Sequence, residues 1–282
     1  EILGVDDVDP ETFYFFILAS LGLKSDKAIT VRLDLEEFHI SSESAIDWRK
    51  RVLNNTLQSL ILLVRKSNGF DDIRSSLRII DSLQKDQKSF ETNYLQEKPL
   101  RKQESIAFEL LGLYHLTKPI VEVAKFLIQG YGYKERLEPI IRQHIETARK
   151  LLVHHPRLVS LANIIEENLN ILQSNSIWTR TKFNDNIKRL CEVKVRQGWL
   201  ELLPSQREAL SSNLLDVASN VTVLQMPTSA GKTLLAEFNI LITKALKQDS
   251  KIVYVVPSRA LVNQIYFDLK SDLEGLDLII EK

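Results

Sequence analysis

The segment Met226-Pro-Thr-Ser-Ala-Gly-Lys-Thr233 concentrates the chemistry of this sequence. It lies between the apolar run 221–224 and a helical pattern opening at Leu234, the strand, loop and helix order that a phosphate-binding loop requires. Amides of such a loop point inward and, with the positive end of the following helix, make a concave anion site. The candidate nucleotide-binding residues are Pro227, Thr228, Ser229, Ala230, Gly231, Lys232 and Thr233. Amides from Ser229 to Lys232 would cradle the β and γ phosphates, and the Lys232 ammonium would neutralise their charge. The Thr233 hydroxyl would face Mg²⁺, so Lys232 and Thr233 are the candidate catalytic pair. Gly231 lets the backbone approach the phosphates with no Cβ in the way. The strict phosphate-loop pattern opens on Gly, and here Met226 stands in that place.

Two flanking features extend the site. Gln206 precedes the loop by twenty residues, and its side-chain amide offers the donor and acceptor that suit N6 and N7 of adenine. After the loop, Val255-Val-Pro-Ser-Arg-Ala-Leu-Val-Asn-Gln264 follows an apolar run and opens a helical pattern. Taken in order, these elements resemble the start of a superfamily 2 helicase motor. Gln206 is similar to the Q motif, Pro-Thr-Ser-Ala-Gly-Lys-Thr to motif I, and Pro-Ser-Arg-Ala-Leu-Val-Asn-Gln to motif Ia. Motif I of that superfamily often opens on a nonpolar residue, which accommodates Met226. The wording resembles the large DExH helicases more than the compact DEAD-box proteins.

The resemblance covers about residues 201–282 and implies a RecA-like α/β fold using ATP and Mg²⁺. It also places Pro257, Ser258 and Arg259 on a track for single-stranded nucleic acid, where a helix N-terminus and a hydroxyl hold backbone phosphates. DNA is favoured over RNA as that strand. No Asp-Glu-x-His or Asp-Glu-Ala-Asp quartet follows Thr233. The carboxylate that organises Mg²⁺ and the arginine that meets charge on the γ-phosphate are therefore not assignable. The chain opens at Glu1 and stops within the α/β pattern, so it reads as part of a longer protein, a motor front end not expected to turn over ATP alone.

The elements that must position these residues change character along the chain. Residues 1–200 read as mostly helical. Helical patterns cover Asp9–Leu21, Glu43–Lys66, Asp71–Gln84, Leu100–Leu116, Pro119–Gln129, Lys134–His154 and Leu158–Gln173, with a short strand around Ile29–Leu35. The helix from Lys134 carries the clearest apolar stripe, Leu137, Ile140, Ile141, Ile145, Ala148, Leu151 and Leu152. No fixed-period repeat is readable. From about Glu201, helices over Ser205–Val217, Lys232–Lys247 and Arg259–Leu273 alternate with strands over Val221–Gln225, Lys251–Val256 and Leu276–Ile280. That alternation argues for a parallel sheet. The expected architecture is thus an all-α region, 1–200, followed by the first half of a RecA-like P-loop domain, 201–282, with the boundary near Gly198–Pro204.

Composition bounds the alternatives. The 282 residues hold 37 Lys plus Arg against 37 Asp plus Glu, so any polyanion site must be local. A local excess does occur over Trp178–Arg196, where Arg180, Lys182, Lys188, Arg189, Lys194 and Arg196 face Asp185 and Glu192, with Trp178 and Phe183 interleaved. That segment reads either as a nucleic-acid-facing helix or as a solvated face. His154 and His155 read as helix C-terminal caps, and Trp199 as core packing at the domain seam or shelter for adenine. The single cysteine, Cys191, cannot form an internal disulfide and reads as core. No apolar run approaches the ~20 residues of a membrane span, so a cytoplasmic protein is expected.

The functional expectation is the N-terminal part of an ATP-dependent helicase or translocase, with the helical region regulating it or docking a protein partner. A helical extension before such a motor is similar to helicase subunits of bacterial antiphage defence, with DNA repair also open. The alternatives are a P-loop NTPase of another class and a helical interaction module with a nucleotide-binding platform. A nucleotide kinase would need a second substrate site, and would leave Pro257–Arg259 without a role.

Overall fold

The computed structural model describes residues 8, 10–24, 45–96, 100–130, 134–179, 184–216, 221–227, 230–273, 275–276 and 278–282. The chain divides into two compact units, Glu1–Ser174 and Asn175–Lys282. The change of unit thus comes before the shift in sequence texture at Gly198–Pro204, and the helix Asp185–Arg196 belongs to the same unit as the phosphate loop. The short strand expected around Ile29–Leu35 lies outside the described residues.

The first unit is helical. It comprises α1 (Pro10–Lys24), α2 (Ala45–Arg65), α3 (Phe70–Gln96), α4 (Leu100–Gln129), α5 (Lys134–Leu151) and α6 (Pro156–Asn175), whose last residue opens the second unit. The α5 stripe is buried where the 3.6-residue period puts it, at Leu137, Ile141, Ile145, Ala148 and, just past the helix, Leu152. It packs on α4, and Gly112 explains how closely. A Cβ on Gly112 would lie 2.7 Å from the Leu152 side chain. In α2, Trp48, Val52, Leu57, Leu60 and Ile61 are buried, and Trp48 stacks on Phe90 of α3 with ring centroids 4.7 Å apart.

Two sequence expectations bear on this unit. Pro119 was expected to separate two helices, yet α4 runs through it. Proline removes one backbone donor and crowds the carbonyl four residues earlier. Burial of Leu116, Ile120, Val123, Ala124 and Leu127 on either side of Pro119 outweighs that cost, and Thr117 Oγ1 donates to the Tyr114 carbonyl at 2.9 Å. The second concerns the histidines. Helix α5 ends at Leu151, and just beyond it the His155 amide donates to the Leu152 carbonyl at 2.8 Å while His155 Nε2 lies 3.7 Å from Glu109 Oε2. Glu109 is already the partner of Arg49, an ion pair with both side chains 4% exposed. Burial pushes the Glu109 carboxyl above its usual range, while the Arg49 guanidinium pulls the other way. One further polar contact joins α4 to α5, with His115 Nδ1 2.8 Å from His144 Nδ1.

The second unit contains α7 (Asp185–Arg196), α8 (Pro204–Ser211), α9 (Lys232–Leu246) and α10 (Arg259–Asp272). Helix α8 is shorter than expected, with residues 212–215 forming a turn. An antiparallel bridge joins Ser176 to Glu201, flanked by Ile177 N donating to the Leu200 carbonyl at 3.2 Å and Leu202 N to the Asn175 carbonyl at 3.0 Å. The stretch containing α7 therefore leaves and returns at adjacent points.

The parallel sheet expected here is not formed among the described residues. Segments 221–225, 251–256 and 278–280 carry no ladder, and Val223, Val255 and Ile279 are 88%, 84% and 92% exposed. Interior parallel strands are stabilised by pairing on their edges and by helices over both faces. These segments form no such ladder, although Leu224, Ile252 and Tyr254 are only 36–40% exposed, while the helices between them fold as the periodicity predicts. Trp178 also departs from expectation. At 1% exposure it belongs to the core and cannot stack on a base. Cys191 is buried, as a core residue should be.

Candidate functional site

The start of α9 is built around Gly231. Its φ of 69° lies in the left-handed region, which a residue with a Cβ enters only at a steric cost. This turn brings the chain from Pro227 and Ala230 into a helix whose first residue is Lys232. Gly231 is the N-cap and supplies no side-chain oxygen, so the first α9 amides are not capped by that side chain. A helix N-terminus left so is electrostatically suited to an anion. Lys232 is exposed beside it, Thr233 is half-buried, and Ala230 is buried at 8%. Thr228 and Ser229 lie outside the described residues.

Gln206 is completely buried and uses both halves of its amide within the chain. Its Oε1 accepts from the Leu203 amide at 2.8 Å, and its Nε2 donates to the Gly231 carbonyl at 3.0 Å. The first bond closes the N-terminal turn of α8, which enters through Pro204. The second ties that turn to the phosphate loop. The amide that the sequence assigned to adenine is thus also the strut under the loop's glycine.

Pro257, Ser258 and Arg259 head α10. Ser258 is its N-cap and accepts from the Leu261 amide at 3.4 Å, and all three residues are exposed. Their exposure at a helix N-terminus suits a backbone phosphate.

A cluster that the sequence did not reveal ties α7 to α9 and α10. Lys194 of α7, read from sequence as one of six clustered cations, has its side chain only 9% exposed. Its Nζ lies 3.1 and 2.9 Å from the two carboxylate oxygens of Glu237 in α9 and 2.6 Å from Asp272 Oδ2 at the end of α10. Gln197 Nε2 donates to the other Asp272 oxygen at 2.7 Å. Trp199, read from sequence as core packing at the domain seam or shelter for adenine, is 44% exposed and so not core, its ring centroid 5.9 Å from the Lys194 ammonium. Burial drives the Glu237 carboxyl up to about 7 against the pull of Lys194. Burial would also raise Asp272, but hydrogen bonds from Lys194 and Gln197 prevail and hold it below the usual range. Lys194 is raised, since the two carboxylates outweigh its burial. The shortest contact of the cluster is the Lys194–Asp272 ion pair, with Glu237 the carboxyl that burial makes easier to protonate.

The remaining basic residues divide. Lys188, Arg189 and Arg196 are exposed, and Arg189 Nη1 donates to the Gly275 carbonyl at 3.3 Å. Arg180, Lys182 and Phe183 lie outside the described residues. Among the described residues no group of three or more His, Cys, Asp or Glu could hold a metal ion, and no helix is long and apolar enough to cross a membrane.

Residues 203–281 match the family described as DEAD/DEAH box helicase. The chain is 40% identical over 91 residues to the ATP-dependent DNA helicase Hel308 of Pyrococcus horikoshii, an alignment covering 32% of this chain and 12% of that protein. Against Hel308 of Thermococcus kodakarensis it is 40% identical over 83 residues, 29% of this chain and 7% of the relative. It is also 40% identical over 74 residues to the Hachiman protein HamB of Bacillus cereus, 26% of this chain and 6% of that protein. The chain thus spans a small part of the curated relatives it matches. No solved structure matches it.

Proposed function

We propose, from the premise that residues 203–281 are superfamily 2 helicase sequence of the DEAD/DEAH box type, that the protein is an ATP-dependent nucleic-acid motor and that this chain carries its nucleotide entry site. The observation that supports it best is the left-handed Gly231 turn opening α9 at an exposed Lys232. In this proposal Lys232 would neutralise the β and γ phosphates, the amides of Ser229 to Lys232 with Pro227 and Thr228 would supply the cradle expected from sequence, and the Thr233 hydroxyl would hold Mg²⁺. ATP, when bound, supplies the phosphoryl group whose transfer drives the motor. The chain's own contribution is a fixed array of donors, because positioning and charge stabilisation dominate this chemistry. Pro257, Ser258 and Arg259 hold backbone phosphates of a single strand, with DNA favoured because the Hel308 relatives are DNA helicases by name. Gln206 is wholly buried with both halves of its amide bonded within the chain, so its reading of adenine in this proposal requires the side chain to turn out of those bonds towards the base.

The helical unit Glu1–Ser174 is the regulatory or partner-docking part of this proposal. Antiphage defence and DNA repair are the two settings of this proposal, carried over from the resemblance of the helical extension and motor; by name the relatives are a Hachiman protein and ATP-dependent DNA helicases. The test is titration of the chain with a fluorescent ATP analogue and Mg²⁺, competed by ATP and by GTP. Saturable binding that ATP displaces and GTP does not is expected. Equal displacement by GTP would remove Gln206 as an adenine reader and favour a P-loop NTPase of another class. No binding would leave the helical interaction module.

A further inference from the structure

We infer that Lys194 is a positioning residue for the phosphate loop, acting through Glu237, an inference that rests on the nucleotide-binding reading above. Glu237 lies in the second turn of α9, whose first residue is Lys232. At 1.5 Å per residue the two are about 7.5 Å apart along the axis. Holding Glu237 therefore fixes both the rotation of α9 and the axial height of its N-terminus.

Lys194 provides that hold from outside the segment of helicase sequence. Its ammonium reaches both Glu237 oxygens, with the Glu237 residue wholly buried, and is itself anchored on Asp272. Gln206 secures the other end of the same turn through the Gly231 carbonyl. The loop is thus pinned on both sides of Lys232, once by α8 and once by α7. Asp272 plays a different part. It is the last residue of α10, whereas Ser258 and Arg259 are at the first, about 20 Å away by helix rise. The Lys194 bond to Asp272 anchors the cation, and the bond to Glu237 transmits the position.

The experiment compares Mg²⁺-ATP affinity of the whole chain in three forms, with folding checked by circular dichroism at the temperature of titration. Lys194→Met should weaken ATP at least about tenfold, as small displacements of a preorganised site do. Gln197→Ala, which loosens Asp272 but leaves Lys194 on Glu237, should lower the melting temperature and leave ATP affinity within about twofold of wild type. A merely structural cluster would move the melting temperature in both and the affinity in neither. If Lys194→Met does not fold, the charge-balanced set Lys194→Met, Glu237→Gln and Asp272→Asn carries the same expectation. A folded variant lacking Lys194 that binds ATP like wild type overturns the assignment alone. A wild-type chain that binds no ATP overturns the nucleotide reading, and the assignment with it.

Discussion

Gln206 Nε2 lies 3.0 Å from the Gly231 carbonyl, and a Cβ placed on Gly231 would come within 2.3 Å of the same nitrogen. The glycine is therefore required twice over, by its φ of 69° and by the amide packed against it.

Gly231→Ala should displace Gln206 and open the turn into α9. The left-handed conformation alone costs about 1–2 kcal/mol for a residue with a Cβ, with the lost hydrogen bond adding to it. The expected outcome is a lower melting temperature together with loss of ATP-analogue binding. Gly231→Ala binding as tightly as wild type would show that the turn is not the phosphate site.

Lys232→Ala should reduce ATP turnover of the protein containing this chain by at least ~100-fold, the scale of losing one preorganised charge-stabilising donor. Because Lys232 is exposed, the melting temperature should hardly change. Steady-state turnover and a thermal melt on the same preparation separate the two effects.

Breaking the Arg49–Glu109 pair should be among the most damaging single changes in the helical unit. Arg49→Met leaves a carboxylate buried without its cation, which costs about 3–5 kcal/mol. Replacing both, as Arg49→Met with Glu109→Leu, should recover much of that loss. Urea unfolding of the two singles and the double would show it.

The proton on Glu237 gives the second unit a pH dependence. Its carboxyl is raised by burial to about 7, above the ordinary carboxylate value, so the folded state holds a proton that the unfolded chain releases. This contribution to stability is present under acid conditions and is lost as pH rises through about 7. Its slope is at most about 1.4 kcal/mol per pH unit. Melting temperatures should fall in wild type between the ordinary carboxylate value of 4.5 and about 7 and level off above that, and Glu237→Gln should flatten the fall.

What could be read from sequence depended on how far apart the cooperating residues lie. Helices α5 and α9 follow local apolar periods, and Gly231, Lys232 and Thr233 form a contiguous motif, so all were legible. The α4 passage through Pro119 was not, because it depends on burial by neighbouring helices. Lys194 resembled its exposed neighbours Lys188 and Arg196, since its carboxylate partners are 43 and 78 residues away. Trp178 looked like an aromatic among cations for the same reason, and its burial is a tertiary property. The expected strands are apolar and of the right length, but a ladder depends on partners that local sequence does not specify.

The bridge between Ser176 and Glu201 makes α7 a detour whose two feet stand side by side. A detour of that kind can change in length without moving its two feet, provided the α7 face that buries Ile187, Leu190, Cys191, Lys194 and Val195 is kept. Its tip can therefore diversify between related proteins while Lys194, near the returning foot, keeps its grip on α9. Variation within the excursion and constancy at its base are the pattern that sequences sharing this bridge should display.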